Sequence, residues 1–404
     1  MPSLLLLSRI IVSQMLKLFY SFFLIAFGHS QIFVLKPSMA TLATTFLNVK
    51  SNNELPSDDF AAYPNLRILF LSGRGLDRPP RGVAALSHLF MLSLKNNRLA
   101  DADAVVVNPV LGWLILTNNA IPQLPATFGR MTRLRKLMLS GNRLTSLPSS
   151  LKDCVHLELV RLANNCMSEY PEVLFELPNL RWVALAGNPC CPLPKLGPVD
   201  KGLVKQFSHA NSKLVEKIGK GASGDVWALR CGEADYALKL YTSQAVGSDG
   251  APVNELHMLA HGRTHPGLVP LAGVWIGEDG QIGGVVLQRL RGFSAIGQPP
   301  NFDTVTRDVY PARFSRAEAE RYVAEVTATL AALHGRQLIH GDVYSHNVLA
   351  AQQTLAGATP PHALLSDLGA TFWVEDSAMF ARFQAIELRA LALFREEVMG
   401  NITK

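Results

Sequence analysis

The spacing L-x-x-L-x-L-x-x-N-x-L begins at Leu66, Leu89, Leu111, Leu134, Leu157 and Leu180, each start 22 or 23 residues after the one before. A period of that length demands a stack of like units rather than an ordinary globular layout, because one short unit cannot bury its own leucines. The Leu-x-Leu step within each copy alternates like a short strand, so both leucines point to a common core and the residues between them face outward on the concave side. The recurring asparagines Asn97, Asn119, Asn142, Asn165 and Asn188 fall at the turn, where a side-chain amide can bond the backbone groups of neighbouring turns, and a structural ladder is expected. The first copy carries Arg74 in that column, as suits a terminal repeat.

These copies resemble the leucine-rich repeat family, with Leu124-Pro125 and Leu147-Pro148 opening the convex return. The resemblance implies an α/β repeat solenoid over residues 60–192 that recruits a protein partner or substrate. Trp113, Ile115, Lys136, Met138, Arg161 and Trp182 are the candidate contacts.

With 404 residues the chain has room for a second domain, and the pattern changes near residue 200. The excess of 38 basic over 32 acidic side chains is ordinary, with no Lys/Arg block of the kind that binds nucleic acid. Cys154, Cys166, Cys190, Cys191 and Cys231 lack both metal-site spacing and a disulfide rhythm, so reduced, mostly buried thiols are expected, with Cys190 and Cys191 in the cap of the last repeat. Residues 1–38 include an apolar run from Leu18 to Leu35 without Asp, Glu, Lys or Arg. Three readings of that segment stay open: a membrane anchor, a cleaved targeting peptide, and a translation start at Met39. Residues 193–213, with Pro194, Gly197 and Pro198 and no apolar span, read as a linker, so both domains lie on one side of any membrane.

From residue 214 a different set of signals appears. Ile218-Gly219-Lys220-Gly221-Ala222-Ser223-Gly224-Asp225-Val226 is a G-x-G-x-x-G-x-V loop whose glycines let backbone amides approach phosphates. A dinucleotide fold would follow it with a helix, whereas Val226 to Leu240 continues as strand-like sequence. Lys239, within the apolar Tyr236-Ala237-Leu238-Lys239, is costly there unless its charge meets phosphates and a carboxylate. Glu255, sixteen residues on in a short helical stretch, is at the distance expected of that partner. Ser315-x-x-Glu318 is a capping box, followed by Tyr322, Val326, Leu330 and Leu333 on one face and Gly335 as a stop. That helix leads to His340-Gly341-Asp342-Val343-Tyr344-Ser345-His346-Asn347, and then to Ser366-Asp367-Leu368-Gly369. His340 reads as a packing residue and His346 as a loop residue.

The segment 214–404 resembles the protein-kinase superfamily, nearest to leucine-rich-repeat kinases without a membrane span and with a His-Gly-Asp loop. The resemblance implies a two-lobed α+β domain with a short second lobe, using ATP and Mg²⁺ in the cytoplasm. Catalysis would fall to Asp342, Lys239 and Glu255, and metal binding to Asn347 and Asp367. The nucleotide would be held by Ile218, Gly219, Gly221, Gly224, Val226, Ala237, Lys239, Leu287, Gln288, Leu290 and Leu349, with Leu287 as gatekeeper. Serine/threonine acceptors are expected over tyrosine.

There are departures. Gly341 replaces the usual Arg, Tyr344 stands where a phosphate-binding lysine is usual, Glu387 replaces an Asp, and no Ala-Pro-Glu segment follows Gly369. The substrate-docking portion is therefore expected to be short. Two alternatives are a pseudokinase scaffold, a binding protein that uses the repeats and at most senses nucleotide, and a small-molecule phosphotransferase of the aminoglycoside or choline kinase type, whose loop also reads His-Gly-Asp with Asn five residues on.

Overall fold

Three-residue strands recur at the repeat period because Leu-x-Leu places alternate side chains inward. Pro125 and Pro148 then start the return as 3₁₀ turns, Ala126–Arg130 and Ser149–Asp153. The computed structural model describes residues 46–48, 60, 63–103, 108–193, 205–220, 224–241, 246–262, 265–351 and 363–403. Residues 39–404 form one compact unit; the apolar segment 1–38 lies outside the described residues. Among the described residues no helix is long and apolar enough to cross a membrane.

Seven parallel strands form the first sheet: β1 (Phe46–Asn48), β2 (Ile68–Phe70), β3 (Met91–Ser93), β4 (Trp113–Ile115), β5 (Lys136–Met138), β6 (Leu159–Arg161) and β7 (Trp182–Ala184), in chain order. The sheet thus begins before residue 60, the start expected from the repeats, because β1 pairs with β2 in register. Behind it the repeat leucines are buried in a single core. The asparagine ladder is present: Asn165, for one, donates to the carbonyls of Leu139 (3.1 Å) and Leu162 (2.8 Å) and accepts from the Leu144 amide (3.0 Å).

A second sheet of six strands, in the order β8-β12-β13-β11-β10-β9, comprises β8 (Lys205–Phe207), β9 (Lys213–Lys220), β10 (Gly224–Cys231), β11 (Ala234–Tyr241), β12 (Leu271–Ile276) and β13 (Ile282–Gln288). Part of the expected linker is therefore structured: β8 pairs in parallel with β12, and buried Phe207 joins the small core behind the sheet. Helix α1 (Pro252–Gly262) follows β11. The remainder contains β14 (Phe293–Ala295), α2 (Arg316–His334), β15 (Leu338–Ile339), β16 (Val348–Ala351), β17 (Ala363–Leu365), β18 (Phe372–Trp373) and α3 (Ser377–Gly400). The capping box of α2 is formed, with the Ser315 hydroxyl accepting from the Glu318 amide and the Glu318 carboxylate accepting from the Ser315 amide.

The concave face does not stand open to solvent. Trp182, Arg161 and Lys136, read as contacts for a separate protein, are buried against the chain's own C-terminal region. Trp182 stacks on Tyr344, Trp113 packs near Phe302, and Arg389 of α3 donates to the carbonyl of Leu177 (3.0 Å). At this interface Glu158 accepts from Thr306 (2.7 Å) and pairs with Arg307 (2.5 Å) and Arg135 (2.8 Å). Burial works to raise the Glu158 carboxyl, but Arg307 and Thr306 outweigh it and hold it below the usual carboxylate range. The array and the C-terminal region share one continuous hydrophobic core.

All five cysteines are free; Cys154 and Cys191 are buried and Cys166 is exposed. Cys191 lies in the cap after the last repeat, where its thiol donates to the Trp373 carbonyl (3.0 Å).

Candidate active site

Strand pairing places Val226, Ala237, Lys239 and Leu287, from β10, β11 and β13, on one face of the second sheet, while Gln288, next to Leu287, falls on the other. Val226 is opposite both Gly219 and Lys239, and Ala237 is opposite Leu287, so with the two-residue period Val226, Ala237, Lys239 and Leu287 point to the same side. Leu238 points the other way, into the small core. Ile218 is exposed at the end of β9, Gln288 ends β13, and Leu290 follows it. Leu349 lies on β16. A Cβ on Gly224 would collide with the Leu240 carbonyl, so glycine is needed for that strand approach. Gly221 lies outside the described residues.

Lys239 is buried, and its ammonium lies 2.8 Å from Glu255 Oε1 on α1 and 3.2 Å from Asp367 Oδ1. Burial disfavours the ammonium, but Asp367 and Glu255 overcome that cost and raise the lysine above its ordinary value. Glu255 is pushed up, by burial first and by Asp367, with Lys239 working against both. Asp367 is the reverse case: burial would raise it, and Lys239 and the Gly369 amide bring it below the usual carboxylate value. Its backbone is left-handed (φ 57°), and its side chain is 45% exposed, so the carboxylate is both bound to Lys239 and open on another side.

Asp342 and Asn347 meet in the loop between β15 and β16. The Asn347 amide donates to the Asp342 carbonyl (2.9 Å) and to its carboxylate Oδ2 (2.8 Å). His340 is fully buried: its Nδ1 accepts from the Asp342 amide, which leaves Nε2 to donate to the Ser366 carbonyl (each 3.2 Å). His340 thus packs and ties the two loops together, as expected. His346 does more than occupy a loop, because its Nδ1 pairs with Asp308 Oδ1 at 2.8 Å. Glu387 on α3 accepts from the Gly341 amide (2.7 Å) and pairs with His334 (2.7 Å), fixing the loop from below. From Gly369 the chain runs through β18 directly into α3.

Sequence reasoning did not associate several residues with this site. Arg161 of β6 ion-pairs with Asp342, donates to the Gly341 carbonyl (2.8 Å) and brings its Nε within 2.9 Å of Asp249. The segment Val246–Asn254 docks on the array: Asn118 donates to the Val246 carbonyl (2.6 Å), Ser140 to the Ser248 carbonyl (2.7 Å), and Asn164 accepts from Ala251 (2.9 Å) and Asn254 (3.0 Å). Asn118 and Asn164 are left-handed (φ 56° and 54°), each directly preceding a ladder asparagine. The doubled Asn in Asn118-Asn119 and Asn164-Asn165 was the only available signal, since Asp249 belongs to no recognisable motif.

A family model described as Leucine rich repeat matches residues 132–189. The seven-stranded parallel sheet, which includes those residues, is consistent with a leucine-rich repeat solenoid. Its repeats support a partner-binding role. Among solved structures the chain is similar to an LRR protein of Leptospira interrogans, at 24% identity and a TM-score of 0.29. That match covers 36% of this chain and 42% of the other, so the chain spans less than half of that protein's length. No curated protein matches the chain.

Proposed function

We propose that the chain is an ATP-dependent protein kinase of serine/threonine type whose leucine-rich repeats are built onto its catalytic face. The observation that carries this reading is the position of Lys239, a buried cation between Glu255 and Asp367 on the sheet face that also presents Val226, Ala237 and Leu287. A buried lysine clamped by two carboxylates is held ready for a polyanion such as a triphosphate. Asp342, oriented by Asn347, is the group to receive the acceptor hydroxyl's proton.

The residues fit Mg²⁺. Asn347 uses its amide nitrogen on Asp342, and its Oδ1 accepts no hydrogen bond among the described residues, while the Asp367 carboxylate is partly open. Two oxygen donors completed by nucleotide phosphates suit that small, hard cation. Among the described residues no three His, Cys, Asp or Glu side chains cluster to hold a metal by themselves. Bound there, Mg²⁺ would neutralise phosphate charge.

A second reading, a pseudokinase scaffold that binds a partner through the repeats and at most senses nucleotide, is favoured by the void beside Ser248, Asp249, Glu255 and Asp367, which at about 20 Å³ has room for about one water and not for a nucleotide. The full chain is to be incubated with Mg²⁺, γ-labelled ATP and a generic protein acceptor. Transfer that falls by about 10²-fold or more in Asp342→Asn and disappears in Lys239→Met supports the kinase. ATP binding without transfer supports the scaffold, and label on a small alcohol but not on protein supports the small-molecule phosphotransferase.

A further inference from the structure

Among the described residues, Arg161 is the only cation in ion-pair contact with Asp342, and it comes from the repeat array rather than from the region that carries Asp342. Its guanidinium is 2% exposed, and its three nitrogens face the Gly341 carbonyl, Asp342 and Asp249. The Asp342 carboxylate is therefore held from two sides, on Oδ1 by Arg161 and on Oδ2 by Asn347. Tyr344, two residues on, has its ring stacked on Trp182.

The array's approach is close. Trp182 Nε1 donates to the Val343 carbonyl (3.1 Å), and Ala163 and Ala184 of the repeats pack on Ala370, next to Gly369. Gly341 is left-handed (φ 74°), and a Cβ there would run into the Val183 carbonyl of β7. The Asp342 loop carries glycine where the array's backbone passes. Trp182 and Val183 are buried in the common core, so withdrawing the array would expose that core rather than open a hinge.

We infer that the active site is composite: Arg161, contributed by the sixth strand of the repeats, is a positioning residue that orients Asp342 for phosphoryl transfer. This rests on the kinase reading above. The guanidinium is itself held in place by the Gly341 carbonyl and Asp249, so the one nitrogen it gives to Asp342 Oδ1 is a fixed charged donor that complements the Asn347 amide on Oδ2. The array then serves as a wall of the catalytic site as well as a recognition surface.

The test compares the full chain with Arg161→Gln, Arg161→Lys and Arg307→Gln, the last of which breaks the ion pair to Glu158 at the same interface without touching Asp342. Expected is a fall in kcat on the order of 10- to 100-fold in Arg161→Gln. KM and directly measured Mg-ATP affinity should be unchanged, Arg161→Lys should recover part of the rate, and Arg307→Gln should keep it. Arg161→Lys retains the charge and decides the matter if Arg161→Gln does not fold. Unchanged or raised kcat in the Arg161 variants overturns the inference and leaves the kinase reading standing; a raised value would make the arginine a brake. Equal losses in Arg161→Lys and Arg307→Gln would reduce Arg161 to an interface contact. An unmutated chain that binds ATP and transfers nothing overturns the kinase reading, and this inference with it.

Discussion

The indole of Trp182 lies flat on the phenol ring of Tyr344, with centroids 4.2 Å apart and planes inclined by 10°, while its Nε1 donates to the carbonyl of Val343. One side chain of the last repeat strand thereby covers the loop that carries Asp342 and satisfies a backbone group in it. Trp182 is 1% exposed, so its replacement leaves a cavity with no easy collapse.

Trp182→Ala is expected to cost about 3–5 kcal/mol, the range for truncating a large buried aromatic side chain. Denaturant unfolding of the full chain should show a lower midpoint in one transition, because the array and the C-terminal region share a core. An early, separate transition of the C-terminal region would show that the two parts are independent.

Gly341 offers a sharper probe of the same approach. Gly341→Ala must place a Cβ against the Val183 and Ala370 carbonyls at a left-handed φ, so a loss of at least about 1–2 kcal/mol is expected. Gly335, at the end of α2 with φ −60°, has only ordinary contacts around the position of an added Cβ. Gly335→Ala should be neutral or stabilise by about 0.4–1 kcal/mol. Melting temperatures that do not separate the two variants would remove the steric account of Gly341.

In the array, Asn165→Ala should cost about 2–4 kcal/mol, since it leaves the Leu139 and Leu162 carbonyls and the Leu144 amide unpaired in the interior. Asn119→Ala removes the equivalent contacts to Leu94, Leu116 and Leu99 in a less buried repeat and should cost less. The ordering of the two unfolding midpoints is the check.

The repeat spacing made the solenoid legible because period and burial are the same fact there: Leu134, Leu137 and Leu139 are spaced for one face and all three are fully buried. The capping box at Ser315 and the Lys239–Glu255 pairing were legible for a similar reason, each being a local rule about one helix or one costly charge. Arg161 was visible only as an outward residue, since the strand period fixes which way it points and says nothing of what it meets. Its partner Asp342 lies 181 residues along the chain, and no local pattern encodes that distance. β8 was missed because Lys205–Phe207 is too short to show an alternation, and it is a strand only because β12 presents an edge to it.

Lys136 on β5 carries the remaining prediction. It is 5% exposed, and its ammonium lies 4.3 Å over the Trp113 ring. Burial, aided by Arg161 and opposed by Asp342 and Asp308, lowers it from 10.5 to about 8. Since the folded chain releases this proton at lower pH than the unfolded chain does, unfolding takes up a proton between about pH 8 and pH 10.5. The residue's cost to stability is therefore full below about pH 8 and fades as the pH rises toward 10.5. Lys136→Met, similar in volume and uncharged, removes that cost, on the order of 3 kcal/mol at most, and gives up a cation–π contact of about 1 kcal/mol. The variant should thus be the more stable one at pH 7, by about 2 kcal/mol. Its advantage over the unmutated chain should shrink steadily above pH 8, a comparison in which the other titrating groups cancel. Urea unfolding of both proteins at pH 7 and pH 10 measures the difference. A variant that is less stable at pH 7, or whose margin does not change with pH, would mean that the Lys136 charge is compensated at the interface instead of merely tolerated there.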